Sequence, residues 1–281
     1  MFENARELDQ FYTNLECAKN FFNIIQSKLD LVSFDYIIEP SVGNGAFYHL
    51  FDHTKRIAID IDPKIDGAIK MDFLKWDCPL KGNIITIGNP PFGKNSNLAV
   101  DFFNHSATFS NVIAFILPKT FRKNSFVKKL DKNFHLIYDE DVPKNSFIFN
   151  NKSYDVSCCF QIWQRQINQR QTTKGLDVSK ANSYFDFVEP KDCDFIVQRV
   201  GVKAGQIIID QKDKYTTKNF FYIKSKHETT LSIFQNIDFN KVKHNTVGYP
   251  SVSKKELVEL FLQELDLLGF SFFEFLSKKF K

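Results

Sequence analysis

The sequence predicts an α/β protein built on a doubly wound sheet, with a small α+β appendage after it. Three observations carry this. Short apolar, β-branched runs recur through the first 163 residues, separated by polar or helix-periodic stretches. One run leads into Glu39-Pro40-Ser41-Val42-Gly43-Asn44-Gly45, a glycine-rich turn at the end of a strand. Another, Ile84 to Ile87, leads into Gly88-Asn89-Pro90-Pro91-Phe92. In an open α/β sheet, ligands bind at the carboxyl edge, where such turns fall.

Residues 4–29 read as a helix, with Leu8, Phe11, Leu15, Phe22 and Ile25 near helical spacing. The first strand, Phe34 to Ile38, runs into the glycine turn, and a helix is expected after it. A dinucleotide-binding turn would want a third glycine where Tyr48 or His49 stands, so that fingerprint fails. The acid Glu39 ahead of the glycines would repel a pyrophosphate and suits an ammonium. The second strand is Arg56 to Ile61. An acid at its end can take the two hydroxyls of a ribose, and Asp60, 15 residues beyond Gly45, is placed for that task. The alternative is that Asp62 caps a helix and Asp60 is a loop charge. Met71-Asp72-Phe73-Leu74 follows a third strand.

The fourth strand ends in Asn89. Two successive prolines fix φ near −65° and remove two N–H donors, leaving carbonyl oxygens for recognition. Asn89 adds a side-chain carbonyl and Phe92 a flat face. This set suits a planar ring that carries an amino group. Residues 97–110 read as a helix with Leu98, Phe102 and Phe103 inward. Val112 to Pro118 is continuously apolar, as in a central strand covered on both faces. Residues 122–130 read as a short helix whose Arg122, Lys123, Lys128 and Lys129 form a solvated face or a phosphate contact. Two last strands, 134–138 and 156–163, are separated by a long loop containing Phe147 and Phe149, a length usual for a functional segment.

Three regions follow: a domain over 1–166, a polar linker over 167–190, and a C-terminal α+β domain over 191–281. The last contains short β-like runs at 195–202, 206–210 and 220–223 and a helix over 254–280 with Leu257, Leu260, Phe261, Leu265 and Leu268 on one face. The net charge is +4, and residues 164–281 hold 19 Lys/Arg against 14 Asp/Glu. A mildly basic C-terminal part fits a nucleic-acid partner. Five scattered cysteines show no metal-ligand spacing, and Cys158 and Cys159 sit in an apolar run as small buried side chains. No metal is expected. The chain reads as reduced and intracellular, in cytoplasm or nucleus, with no apolar run of membrane-spanning length and no signal peptide at Met1 to Asp9.

The tetrapeptide Asn89-Pro90-Pro91-Phe92, preceded in order by the Glu39–Gly45 turn, Asp60 and Asp72-Phe73, resembles the catalytic motif of S-adenosylmethionine-dependent amino-methyltransferases. The enzymes it resembles in particular methylate the exocyclic N6 of adenine. The resemblance covers residues 10–165, and the order of motifs followed by a C-terminal region resembles their gamma class. It implies the class I, Rossmann-like methyltransferase sheet of seven strands with an antiparallel last strand. It also implies S-adenosylmethionine as cofactor and nucleic acid as substrate, DNA before RNA.

Residue by residue, the resemblance gives Thr13 and its neighbour Tyr12 a closing role over the methionine end of the cofactor. Glu39, Pro40, Gly43 and Gly45 hold the amino-acid part, Asp60 the ribose, and Asp72 and Phe73 the adenine. Asn89, which also faces the cofactor, and the Pro90 carbonyl grip the target amine. Pro91 shapes the loop, and Phe92 stacks on the target base, with Phe149 (or its rival Phe147) on the other face. The C-terminal region would recognise the target, or else serve as a lid or dimer surface. RNA adenosine, a protein glutamine amide, guanine N2 and an inactive scaffold are the other readings.

Overall fold

The computed structural model describes residues 11–170, 178–210, 215 and 218–279, the side chains of 178 and 269–279 excepted. The chain divides into two compact units, Met1–Gln171 and Thr172–Lys281.

The first unit opens with β1 (Tyr12–Thr13) and α1 (Leu15–Lys28). Asn14 caps α1, its Oδ1 accepting the Cys17 N–H at 2.7 Å, and this cap sets where the helix starts. Phe11, expected within a helix, therefore lies ahead of it, and Leu8 falls outside the described residues. The buried face of α1 is Cys17, Ala18, Phe21 and Ile25, so Leu15 is left exposed. Then come β2 (Tyr36–Pro40), β3 (Arg56–Asp60), β4 (Ile69–Lys70), β5 (Ile84–Gly88) and α2 (Asn97–Ser106). After these lie β6 (Val112–Pro118), α3 (Asn124–Val127), β7 (Phe134–Asp141), the hairpin β8 (Phe147–Phe149) and β9 (Lys152–Tyr154), and β10 (Cys158–Arg165).

Seven of these strands form one sheet in the order β4-β3-β2-β5-β6-β10-β7. The pairs among β4, β3, β2, β5 and β6 are parallel, and β10 runs antiparallel between β6 and β7. This is the doubly wound order expected, reversing direction between β2 and β5. One departure stands out. No α-helix follows the glycine turn; a single 3₁₀ turn, Tyr48–Leu50, fills that crossover. The crossover from β4 to β5 likewise carries one such turn, Phe73–Lys75.

Strand β6 shows why the sheet is covered on both sides. Val112, Ala114 and Ile116 belong to the core beneath α1 with Phe21 and Ile25. Ile113, Phe115 and Leu117 belong to the opposite core beneath α2 with Phe102 and Phe103. A strand with alternate residues in two cores must be apolar at every position. Cys158 and Cys159 divide between the same two cores, and burial pushes both thiols well up.

The second unit contains α4 (Val178–Ala181), β11 (Phe185–Phe187), β12 (Phe195–Gln198), β13 (Ile207–Ile208), β14 (Phe220–Ser225), α5 (Thr230–Asn236), α6 (Asn240–Lys243) and α7 (Lys254–Lys279). Its four strands form an antiparallel sheet, β11-β14-β12-β13. Residues 178–187, read as linker from their polar composition, supply α4 and the edge strand β11. Phe185 and Ala181 anchor them in the core with Leu257, Leu260 and Phe261 of α7. Leu265 packs partly against that core and Leu268 is exposed. Among the described residues, no helix is long and apolar enough to cross a membrane.

Candidate active site

The carboxyl ends of β2, β3 and β5 lie side by side, which brings the glycine turn and the Asn-Pro-Pro-Phe loop together. The turn is held from β3. Gly43 N donates to Asp60 Oδ2 at 2.8 Å, and Val42 N donates to the Ile59 carbonyl at 3.1 Å. It is held from β5 by the Ser41 hydroxyl, which donates to the Asn89 carbonyl at 3.3 Å. Gly43 has φ +52°, and a β-carbon there would lie 2.9 Å from the Tyr12 ring. The turn can therefore run under that ring only as glycine. Gly45, at φ +77°, closes the bend by donating to the Val42 carbonyl at 2.8 Å.

A cavity of about 340 Å³ opens at this edge. Phe11, Tyr12, Ser41 and Gly43 line one end, and Asn89, Pro91 and Gly93 border it from the β5 loop. Asp60, Ile61, Asp62, Met71, Asp72 and Phe73 form the other wall, with Leu98 and Phe102 of α2. A small recess of about 30 Å³ continues inward between Thr13, Glu39, Gly43, Phe47 and Asn89. Four carboxylates border these two spaces and, among the described residues, no lysine or arginine lines them, though Lys64 pairs with Asp62 and Lys75 with Asp72 from beside the cavity.

Three buried polar atoms at the recess lack any hydrogen-bond partner: Thr13 Oγ1, Glu39 Oε2 and Asn89 Oδ1. Burial drives the Glu39 carboxyl well above its usual range; the Tyr48 N–H opposes this, and the Asp60 charge adds to it. The Asn89 amide is fixed by its other end, since Nδ2 donates to the Phe11 carbonyl at 2.9 Å. Phe11 is held in turn. Tyr12 and Thr13 pair with Ile148 and Phe147 of β8, and the Phe11 ring packs on Phe149 (5.3 Å between centroids) and Tyr154 (5.2 Å). Residues 11–13 thus form a strap across the glycine turn, tied to the β8–β9 hairpin.

The predicted residues sort as follows. Thr13, Glu39, Gly43, Asp60, Asp72, Phe73, Asn89 and Pro91 meet at the cavity and its recess. Asp60 does structural work as well, its Oδ1 accepting the Asp62 N–H at 2.8 Å. Asp62 is not a helix cap; it borders the cavity and pairs with Lys64. Asp72 Oδ1 accepts the Leu74 N–H at 3.1 Å. Pro40, Gly45 and Pro90 are not among the residues that line either space. Phe92 is partly buried against both cores, beside the cavity and not in it. Phe149 packs on the strap and Phe147 lies in the core, so neither lines the cavity.

Arg122, read as a solvated or phosphate-binding residue, pairs with Asp139 and Asp141. Sequence reasoning missed Phe11, Ser41 and Met71. Phe11 had a signal only in its adjacency to Tyr12-Thr13, and the assumed helix concealed it.

No protein-family model matches the chain, and no curated protein does. Among solved structures, the chain is similar to a protein from Pyrococcus horikoshii assigned as an RNA methyltransferase, at 16% identity over 58% of this chain and 88% of that one, TM-score 0.42. It is similar to the 23S rRNA methyltransferase ErmE at 14% identity over 57% and 70%, TM-score 0.40. A magnesium protoporphyrin IX methyltransferase (ChlM) from Synechocystis PCC 6803 with bound SAM is similar at 10% identity over 54% and 79%, TM-score 0.40.

Proposed function

We propose that this protein is an S-adenosylmethionine-dependent methyltransferase acting on the exocyclic N6 amine of adenine in nucleic acid, DNA before RNA. The observation that carries the reading is the side-chain oxygen of Asn89, Oδ1. It is buried at the cavity, without a protein partner, while its amide nitrogen is committed to Phe11. A buried acceptor left unsatisfied costs about 1–3 kcal/mol, which a ligand N–H would recover.

The cavity suits the cofactor. The unpartnered Oε2 of Glu39 and the Thr13 hydroxyl offer acceptors to an ammonium, and the glycine turn under Tyr12 leaves room for close approach. Asp60 faces the ribose, and Asp72 with Phe73 the adenine. Asp62 and Asp72 are paired with Lys64 and Lys75, which leaves Glu39 and Asp60 to face a positively charged ligand, and the lining offers no lysine or arginine to a pyrophosphate. When bound, S-adenosylmethionine supplies an electrophilic methyl group on sulfonium sulfur.

The protein's own part is orientation. An adenine amine is a poor nucleophile because its lone pair is spread into the ring. Asn89 Oδ1 accepts one of its N–H bonds and the Pro90 carbonyl the other, which localises the pair. Phe92, half-exposed beside Asn89, stacks on the ring for about 1–3 kcal/mol. Catalysis then comes from positioning and preorganised acceptors, and no side chain need act as a base at the amine. DNA is placed first because the motif order resembles the gamma class.

The test is tritiated-methyl transfer to separate DNA, RNA and protein pools, with Asn89→Ala as control and calorimetry for cofactor binding. Label in adenine of DNA, absent with the variant, is the expected result. Cofactor binding without transfer to any nucleic acid would overturn the substrate reading.

A further inference from the structure

Among the described residues of the second unit, the two most exposed large apolar side chains are Val202, 80% accessible, and Tyr249, 79%. They lie close to one bridge. Val200 and Ser251 pair antiparallel, and Gly201 N donates to the Pro250 carbonyl at 2.9 Å, which puts Val202 and Tyr249 each two residues from that bridge, in the turns that leave it. The Thr246 hydroxyl donates to the Tyr249 carbonyl at 3.1 Å and closes the turn that presents this ring.

Hydrogen bonds bring two further stretches alongside. Ser251 N donates to the Lys243 carbonyl at 2.9 Å, and Arg199 N to the Asn219 carbonyl at 2.8 Å. The three joined segments, 199–206, 218–219 and 239–251, carry Arg199, Lys203, Lys218, Lys241 and Lys243 and no Asp or Glu. Protein interfaces are depleted in lysine, whereas single-strand binding combines cationic side chains with an aromatic platform. We infer that this surface binds an unpaired nucleic-acid strand, with a base stacked on Tyr249 against Val202 and the phosphates along Lys203, Lys241 and Lys243. It shares with the proposed function only the choice of nucleic acid as partner.

The full chain should be titrated against a fluorescein-labelled 20-nucleotide DNA strand, the same sequence as RNA, and the DNA duplex, reading anisotropy. Tyr249→Ala should weaken single-strand binding about 5- to 100-fold, and Tyr249→Phe should stay within about twofold. Lys203→Gln/Lys241→Gln/Lys243→Gln should flatten the slope of log affinity against log salt by about 2. A preference for DNA or for RNA supports the inference either way and identifies the strand bound. Affinity unchanged in both Tyr249→Ala and the triple variant, or tightest binding to the duplex, overturns it. Failure of methyl transfer with strand binding intact would sink only the catalytic reading.

Discussion

The Asn89 side-chain amide donates to the main-chain carbonyl of Phe11, 78 residues earlier in the chain, at 2.9 Å. That bond selects one orientation of the amide. With Nδ2 turned toward that carbonyl, Oδ1 is the amide atom left without a protein partner, so the site presents an acceptor. The proposed chemistry needs this polarity.

Asn89→Ala should lower methyl transfer about 10²- to 10³-fold while cofactor affinity changes little, as calorimetry and single-turnover rates would show. Asn89→Asp keeps an acceptor but cannot donate to Phe11. It should be equally inactive, with a lower melting temperature from the carboxylate facing a carbonyl. An Asn89→Asp protein with native turnover would refute the role of the strap.

Phe149 should matter through Phe11. Its ring and that of Tyr154 both pack on Phe11, so Phe149→Ala releases the residue that orients Asn89. The expected result is about a tenfold loss of kcat with a smaller change in the KM for nucleic acid. A change confined to KM would instead indicate direct contact with the substrate.

Gly43→Ala places a β-carbon 2.9 Å from the Tyr12 ring at a positive φ. Strain of about 1–3 kcal/mol follows, relieved if the ring and its strap lift. Cofactor affinity should fall at least tenfold, with a measurable drop in melting temperature. Gly67→Ala, also at positive φ but with nothing within 4 Å, controls for backbone strain alone.

Glu39 links pH to both stability and binding. Its folded-state pKa stands above the ordinary value of 4.5 because the carboxyl is buried, so the folded protein holds this proton more tightly than the unfolded chain. The contribution is fully present below about pH 4.5 and is lost as pH rises through the folded pKa. An ammonium ligand needs the ionised form, so affinity for S-adenosylmethionine should climb with pH over that window. Glu39→Gln should remove the climb, weaken binding at least tenfold, and raise the melting temperature at pH 8. Calorimetry across pH and thermal melts check both halves.

Arg122 should prove structural. Its Nε donates to Asp139 at 2.8 Å, and Asp139 also accepts from buried Gln161 at 2.6 Å, whose Oε1 accepts the Trp163 N–H at 3.0 Å. Arg122→Ala strands Asp139 and should cost about 2–4 kcal/mol in denaturant unfolding, against no more than about 0.5 for exposed Lys128→Ala.

Local chemistry made the sheet and the site's outline legible in the sequence. Apolar runs with residues for two cores mark buried strands. A glycine turn and a double proline each impose backbone geometry on their own residues, wherever the rest of the chain goes. Glu39, Gly43, Asp60, Asp72 and Asn89 follow from this, because strands of one parallel sheet deliver their carboxyl ends to a common edge. Tertiary structure alone decided the strap. Helical periodicity extends over Phe11, but the Asn14 cap and pairing with β8 lay it across Gly43, and Phe149, expected on the target base, packs on Phe11. The contacts of Phe11 with Asn89 and Phe149 join residues 78 or more positions apart, and nothing in either local segment specifies its distant partner. Polar composition likewise concealed β11, since a short edge strand needs only Phe185 inside the core to hold it.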